Sequence, residues 1–163
     1  KINPVLTLSD LSKVKVDCIE ADEDLMLPHL SQIYSQIYLG DVFKIYRELP
    51  EYELILMIDV IEHLDKEAAI EMLKYFLKKT SEILIATPLN FFEQELYQSK
   101  FEHHVSHWKL KDFKNLGYVE YQFFDGGGVY LLSEREIKIR GFGNSLIKKA
   151  RRIAKGLRNE IHL

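Results

Sequence analysis

The chain has 163 residues, 47% of them hydrophobic and 29% charged, with a formal net charge of −3. That balance excludes an intrinsically disordered chain and fits a globular domain with enough apolar material for a core. No apolar run approaches the roughly 18 residues of a membrane-spanning helix, the opening KINPVLTLSD lacks a signal peptide's apolar region, and the single cysteine, Cys18, excludes an internal disulfide and fits a reducing cytoplasm.

In chain order, VKVDCIEAD (14–22) is rich in β-branched and apolar residues and then turns acidic, which predicts a strand with Glu20 at its tip. DEDLMLPHLSQIY reads as a short helix capped by Asp22 and broken near Pro28. QIYLGD predicts a short strand ending at Gly40 and Asp41, and VFKIYREL a brief helix leading to Pro50. YELILMID is almost continuously apolar, as expected of a strand covered on both faces in a parallel sheet. KEAAIEMLKYFLKKT (66–80) places Ala69, Met72, Leu73, Phe76 and Leu77 on one helical face and gathers lysines at its C-terminus, where the helix dipole favours them.

EILIATP predicts another buried strand, stopped by Pro88, which lacks a ladder donor. After a loop rich in Phe, Gln and His, SHWKLKDFKNLG predicts a helix closed by Gly117 in a left-handed cap. YVEYQFF and VYLLS flank DGGG and predict a hairpin rather than a phosphate cradle, because the glycines precede a strand and not a helix. Alternating strands and helices that end in an antiparallel pair imply an α/β fold: a doubly wound, mostly parallel sheet with a C-terminal hairpin. In such sheets ligands bind beyond the C-terminal strand ends.

Three apolar strands end in acids there: Glu20, Asp41 and Asp59. An ionised carboxylate is seldom buried without a partner, so each of them either leaves the core, caps the next helix, or meets a ligand's hydroxyl or amine. These residues resemble the class I S-adenosylmethionine-dependent methyltransferases over about residues 14–133. VDCIEAD is similar to the second-strand motif whose acid binds the cofactor ribose, and LGD to the third-strand motif whose acid reads the adenine amine. LILMIDVIEHLDKE, with its D-x-x-E-H element, resembles the fourth-strand signature, and ILIATP followed by Leu89 and Asn90 resembles the fifth strand and its substrate-side loop.

The resemblance implies S-adenosylmethionine as cofactor, held by Glu20, Ala21, Asp41, Val42, Asp59 and Val60. It implies an acceptor side formed by Glu62, Asn90, His103, His104, His107 and Trp108, with His63 as candidate proton acceptor. The identity of the acceptor is not legible. The family's first strand and its D-x-G-x-G-x-G loop have no counterpart in KINPVLTLSDLSKVK. With Lys1 rather than methionine at the start, the expectation is a fragment, or a degenerate relative, whose sheet lacks the strand between those ending at Glu20 and Asp59, and whose methyltransferase activity belongs to the full-length protein.

Two features carry competing readings. FEHHVSHW offers three histidines in five positions, but without H-E-x-x-H or C-x-x-C spacing no metal is assigned, and a substrate-facing loop is expected. Residues 134–163 hold nine Lys or Arg against three acids, a net +6 beside −9 for the remainder. They are expected to form a basic amphipathic helical extension to a methyltransferase-like domain at 1–133, packing on the domain or on a second copy of the chain. The alternatives are a non-catalytic module that binds nucleic acid or an anionic membrane surface through that helix, and an NAD-dependent oxidoreductase.

Overall fold

The computed structural model describes residues 14–26, 32–90, 101 and 103–136. The predicted C-terminal helix and the break at Pro28 lie outside them. The chain divides into two compact units, Lys1–Leu49 and Pro50–Leu163, and among the described residues its strands form one two-stranded and one four-stranded sheet. No helix among the described residues is long and apolar enough to cross a membrane.

In the first unit, β1 (Asp17–Glu20) and β2 (Gln36–Leu39) run parallel, with Glu20 opposite Leu39. The segment after β1 forms a single 3-10 turn, Glu23–Leu25, in place of the start of a helix; Asp22 caps it by accepting the Asp24 N–H. Gly40 follows β2 with φ 136°, a backbone region open essentially to glycine alone. Asp41 then caps α1 (Val42–Ile45). Tyr46 and Leu49 are buried below it. Cys18 is half-buried; burial and then the Glu20 charge push its thiol pKa up, against a hydrogen bond with Tyr34 that lowers it.

The second unit is a sheet of order β3-β4-β6-β5. β3 (Leu54–Ile58) pairs parallel with β4 (Glu82–Pro88), and the chain crosses between them through α2 (Lys66–Leu77). The helix buries Ala69, Met72, Leu73, Phe76 and Leu77, the face its apolar spacing predicts. At about 1.5–3 kcal/mol for each large side chain removed from water, that stripe is what holds the helix down. Asp65 caps its start through the Ala68 N–H, and the Thr80 hydroxyl just past its end donates to the Tyr52 carbonyl at 2.6 Å.

β6 (Gly127–Ser133) lies antiparallel between β4 and β5 (Tyr118–Phe124). Its central position explains why all seven of its residues are buried. Leu84, Ala86, Val129 and Leu131 form the core on one face of the sheet. On the other face Tyr130 packs against Phe113, ring centroids 4.3 Å apart, and Phe113 stacks on Trp108 at 5.3 Å. β3 is an edge strand of this sheet with Leu54 41% and Leu56 49% exposed, so the two-sided cover predicted from its apolar run is not met there.

Local details differ from the sequence expectation for steric reasons. The hairpin turn is only Asp125 and Gly126, the latter with φ 76°, while the next two glycines belong to β6. A Cβ on Gly127 would lie 2.6 Å from the Phe124 ring, and one on Gly128 2.6 Å from the Tyr130 hydroxyl oxygen. The helix predicted from Ser106 begins at Leu110 and is short, α3 (Leu110–Lys114), because residues 105–108 are held elsewhere by hydrogen bonds described below. Gly117 has no positive φ and is not a left-handed cap; a Cβ there would lie 2.7 Å from the Ser133 carbonyl oxygen. It is glycine to let the chain pass close to the end of β6.

α3 is tied to α2 by Asp112, whose Oδ2 accepts from Lys66 Nζ at 2.7 Å and from the Lys109 N–H at 2.9 Å. Burial pushes the Asp112 pKa up, but the Lys66 ammonium and the Lys109 N–H outweigh it and hold the carboxyl below its ordinary value. Lys66 also donates to the His107 carbonyl at 2.8 Å and sits 5.1 Å from the Trp108 ring centroid. These contacts offset the unfavourable placement of a cation at the first position of a helix.

Two expected outcomes follow from this packing. Gly117→Ala should lower stability by about 1–3 kcal/mol, since its new methyl meets backbone that cannot swing aside; an unchanged urea midpoint would contradict that. Because the folded pKa of Asp112 lies below the unfolded one, its contribution is complete above about pH 4 and is lost as the pH falls through the folded value. Asp112→Asn should therefore cost about 1–2 kcal/mol at pH 7, from the cap and a partly exposed ion pair. Denaturant midpoints at pH 7 and pH 3 should show wild type and variant converging in acid.

Candidate functional site

At the end of the parallel pair in the first unit, Glu20 stands opposite Leu39, two residues before Asp41, so both acids project from the same edge of β1 and β2. Each spends one carboxylate oxygen locally: Glu20 Oε1 accepts the Asp22 N–H at 2.8 Å and Asp41 Oδ1 accepts the Phe43 N–H at 2.9 Å. The capping role expected of acids at strand ends is thus real. It does not exhaust the groups, because a carboxylate offers a second oxygen. Ala21 and Val42 directly follow the two acids and are half-buried.

In the second unit, Asp59 solves the problem of a carboxylate at the end of an apolar strand by leaving the core. It is exposed, while its N–H continues the ladder to the Ala86 carbonyl at 3.0 Å. Its φ of 50° is the left-handed conformation, rare for a residue with a Cβ and best tolerated by Asp and Asn. The kink turns the chain through the exposed Val60 into a 3-10 turn, Ile61–His63, rather than straight into a helix. Glu62 and His63 therefore lie on this separate turn, ahead of α2.

Residues 103–109 lie across that turn. The Val105 and Ser106 N–H groups both donate to the Glu62 carbonyl, at 2.9 and 3.0 Å. Ser106 Oγ and Trp108 Nε1 both donate to the Ile61 carbonyl, at 3.1 and 3.0 Å, and Trp108 Nε1 also reaches Ser106 Oγ at 2.8 Å. Trp108, expected on a substrate-facing loop, is instead a core residue at 1% exposure, the polar edge of its indole consumed by these bonds. His107 is half-buried and donates from Nε2 to the Leu89 carbonyl at 2.8 Å, while Asn90 is exposed just beyond β4.

The remaining polar groups converge. Glu62 is 3% exposed, and its Oε2 accepts from the Thr87 hydroxyl at 3.1 Å. His63 Nδ1 lies 3.1 Å from the His103 carbonyl; since a carbonyl only accepts, Nδ1 carries the proton and Nε2 of the neutral ring presents a lone pair. The His63 and His104 rings meet edge to face at 4.9 Å. One donor atom each from Glu62, His63 and His104 lies within 4.8 Å of the others, a spacing that can hold a metal ion. His103, exposed, contributes its carbonyl to this group. The sequence singled out all three residues but not their meeting, because the two segments are 40 residues apart.

The anchoring can be checked with the chain's only tryptophan. Trp108→Phe, which removes the indole donor and keeps most of the volume, should cost about 1 kcal/mol. Ser106→Ala should cost a similar amount, and the double variant less than the sum, because the two donors share the Ile61 carbonyl. Urea unfolding of the four proteins measures this directly.

No protein-family model matches the chain, and neither does any curated protein. Solved structures do resemble it. The bifunctional kinase-methyltransferase WbdD superposes with a TM-score of 0.56 at 15% identity, over 83% of this chain and 33% of its own. The N-terminal domain of EvdMO1, in the presence of SAH and D-fucose, gives 0.54 at 12% identity, over 78% of this chain and 70% of its own. An O-methyltransferase family 2 protein from Planctomyces limnophilus DSM 3776, in complex with apigenin, gives 0.52 at 12%, over 78% and 46%. The chain spans about a third of the length of WbdD. At these identities the likeness is one of fold, and the fold is class I methyltransferase-like, of mixed α/β type.

Proposed function

We propose that the chain binds S-adenosylmethionine and serves methyl transfer to an acceptor nucleophile. The observation that carries this reading is the pair Glu20 and Asp41 at one edge of two parallel strands, each acid fixed by a single backbone N–H. A side chain steadied in that way presents its second oxygen at a defined place, suited to ribose hydroxyls at Glu20 and to an exocyclic amine at Asp41. The neighbours that share the fold include a kinase-methyltransferase and an O-methyltransferase family 2 protein, and the N-terminal domain of EvdMO1 is solved with SAH bound, which supports the same cofactor class. In this reading Ala21 and Val42 flank the nucleoside.

In the reaction, the acceptor lone pair forms a bond to the methyl carbon as the carbon–sulfur bond breaks and its electrons return to sulfur, leaving S-adenosylhomocysteine. The acceptor proton passes to a base or to water. Such a displacement gains most of its rate from holding donor and acceptor in line. Glu62, Asn90, His103, His104 and His107 would serve the acceptor side, and His63 Nε2, carrying the lone pair, is the candidate base in the metal-free protein.

Calorimetric titration of the chain with S-adenosylhomocysteine and, separately, with NAD tests the reading. Binding of the first alone is expected, weakened about tenfold, or roughly 1.4 kcal/mol, in Glu20→Gln and in Asp41→Asn. Binding of NAD instead would favour an oxidoreductase. Failure of both, with binding of nucleic acid or anionic vesicles, would favour an interaction module.

A further inference from the structure

We propose that Glu62, His63 and His104 form a binding site for a divalent first-row transition-metal ion, of the zinc, cobalt or manganese kind. This goes beyond the methyl-transfer reading and does not need it to be correct. Three features of the geometry point to an ion. The donor atoms come from two segments locked together by backbone hydrogen bonds, the Val105 and Ser106 N–H groups on the Glu62 carbonyl, so the set is assembled before any ligand arrives. His63 uses its Nδ1–H on a backbone carbonyl, which leaves the ligating lone pair on Nε2; a hydrogen bond of that kind from the other ring nitrogen is the usual support of a metal-bound imidazole. And the Glu62 carboxylate is buried at 3% exposure beside two imidazoles, with the Thr87 hydroxyl steadying one of its oxygens.

The donor set chooses the ion. Two imidazoles and one carboxylate suit zinc, cobalt, manganese or ferrous iron, whereas magnesium and calcium take sites built from oxygen. Bonds of about 2.0–2.2 Å would bring ligand atoms to roughly 3.4 Å of one another. The present limit of 4.8 Å closes to that by side-chain rotation of the two half-buried histidines. Three protein ligands leave at least one position for water or a ligand oxygen, the pattern of a reactive rather than a structural site. A water bound there would be more acidic than bulk water, most strongly so with zinc. The sequence assigns no metal because it offers no single compact motif; the ligands belong to two places in the chain.

The test is titration of metal-free protein with Co²⁺, followed by visible absorption, and with Zn²⁺ by calorimetry. One equivalent should bind, with Mg²⁺ failing to compete at the same concentration. His63→Ala and His104→Ala should each weaken binding by about tenfold or more. His107→Ala, whose ring nitrogen serves the Leu89 carbonyl instead, should leave it unchanged. Glu62→Gln should also weaken it, and because that side chain is buried, the half-buried His104 variant carries the decision if the glutamine variant does not fold. Thermal melts monitored through Trp108 establish that the variants are folded. Absence of Co²⁺ and Zn²⁺ binding, or affinity that survives unchanged in both histidine variants, overturns the site. Neither result bears on binding of S-adenosylhomocysteine, measured separately.

Discussion

Two adjacent carbonyls, those of Ile61 and Glu62, organise the second unit. The Ile61 carbonyl closes its own 3-10 turn by accepting the Leu64 N–H, and the two carbonyls together accept four donors from residues 105–108: two backbone N–H groups, a serine hydroxyl and an indole N–H. A buried carbonyl without a donor costs about as much as a lost hydrogen bond, and here one returning segment supplies two donors to each. The anchorage has several consequences at once. It holds Trp108 against Phe113 and through it Tyr130 of β6, delays the start of α3 to Leu110, and sets the 103–104 pair of histidines beside Glu62 and His63. Packing, helix boundary and site geometry share one cause.

The acids at the strand ends illustrate a related economy. Glu20 and Asp41 each satisfy a local backbone donor, and Asp59 accepts a strained φ to turn the chain out of the sheet. Local structural duty and ligand binding are not competing explanations for such residues, because a carboxylate has more acceptor capacity than one N–H consumes. Strain of order 1–2 kcal/mol at Asp59 persists because the turn that follows is over-determined by the Ile61 and Glu62 anchorage. The fold thereby delivers acids to the C-terminal ends of parallel strands, and a mixed carboxylate and imidazole cluster to the turn after β3.

Much of the fold was legible because it rests on short-range pattern. The buried face of α2 follows from apolar spacing, the β4 limits from an apolar run stopped at Pro88, and the hairpin from turn residues between two β-branched and aromatic runs. Misreadings fell where a long-range contact outweighed local preference. Ser106 to Lys109 have a helical neighbourhood but are drawn out straight by donors to Ile61 and Glu62. Gly117 looks like a helix cap and is instead a point of close approach to Ser133. Two of the three glycines after Asp125 are strand residues whose missing Cβ makes room for the Phe124 and Tyr130 side chains.

The sequence by itself determined the α/β class, the acids at the ends of the first three strands, and the elements whose hydrophobic period is unbroken. Each of these is written in neighbouring residues, through burial and backbone geometry that act within a turn or a strand. Only the tertiary structure decided that Trp108 belongs to the core and that Glu62, His63 and His104 share one spot. Hydrogen bonds between residues some 40 positions apart leave no periodic trace in the chain, and they come into being only when β3, β4 and the segment 103–109 are packed together.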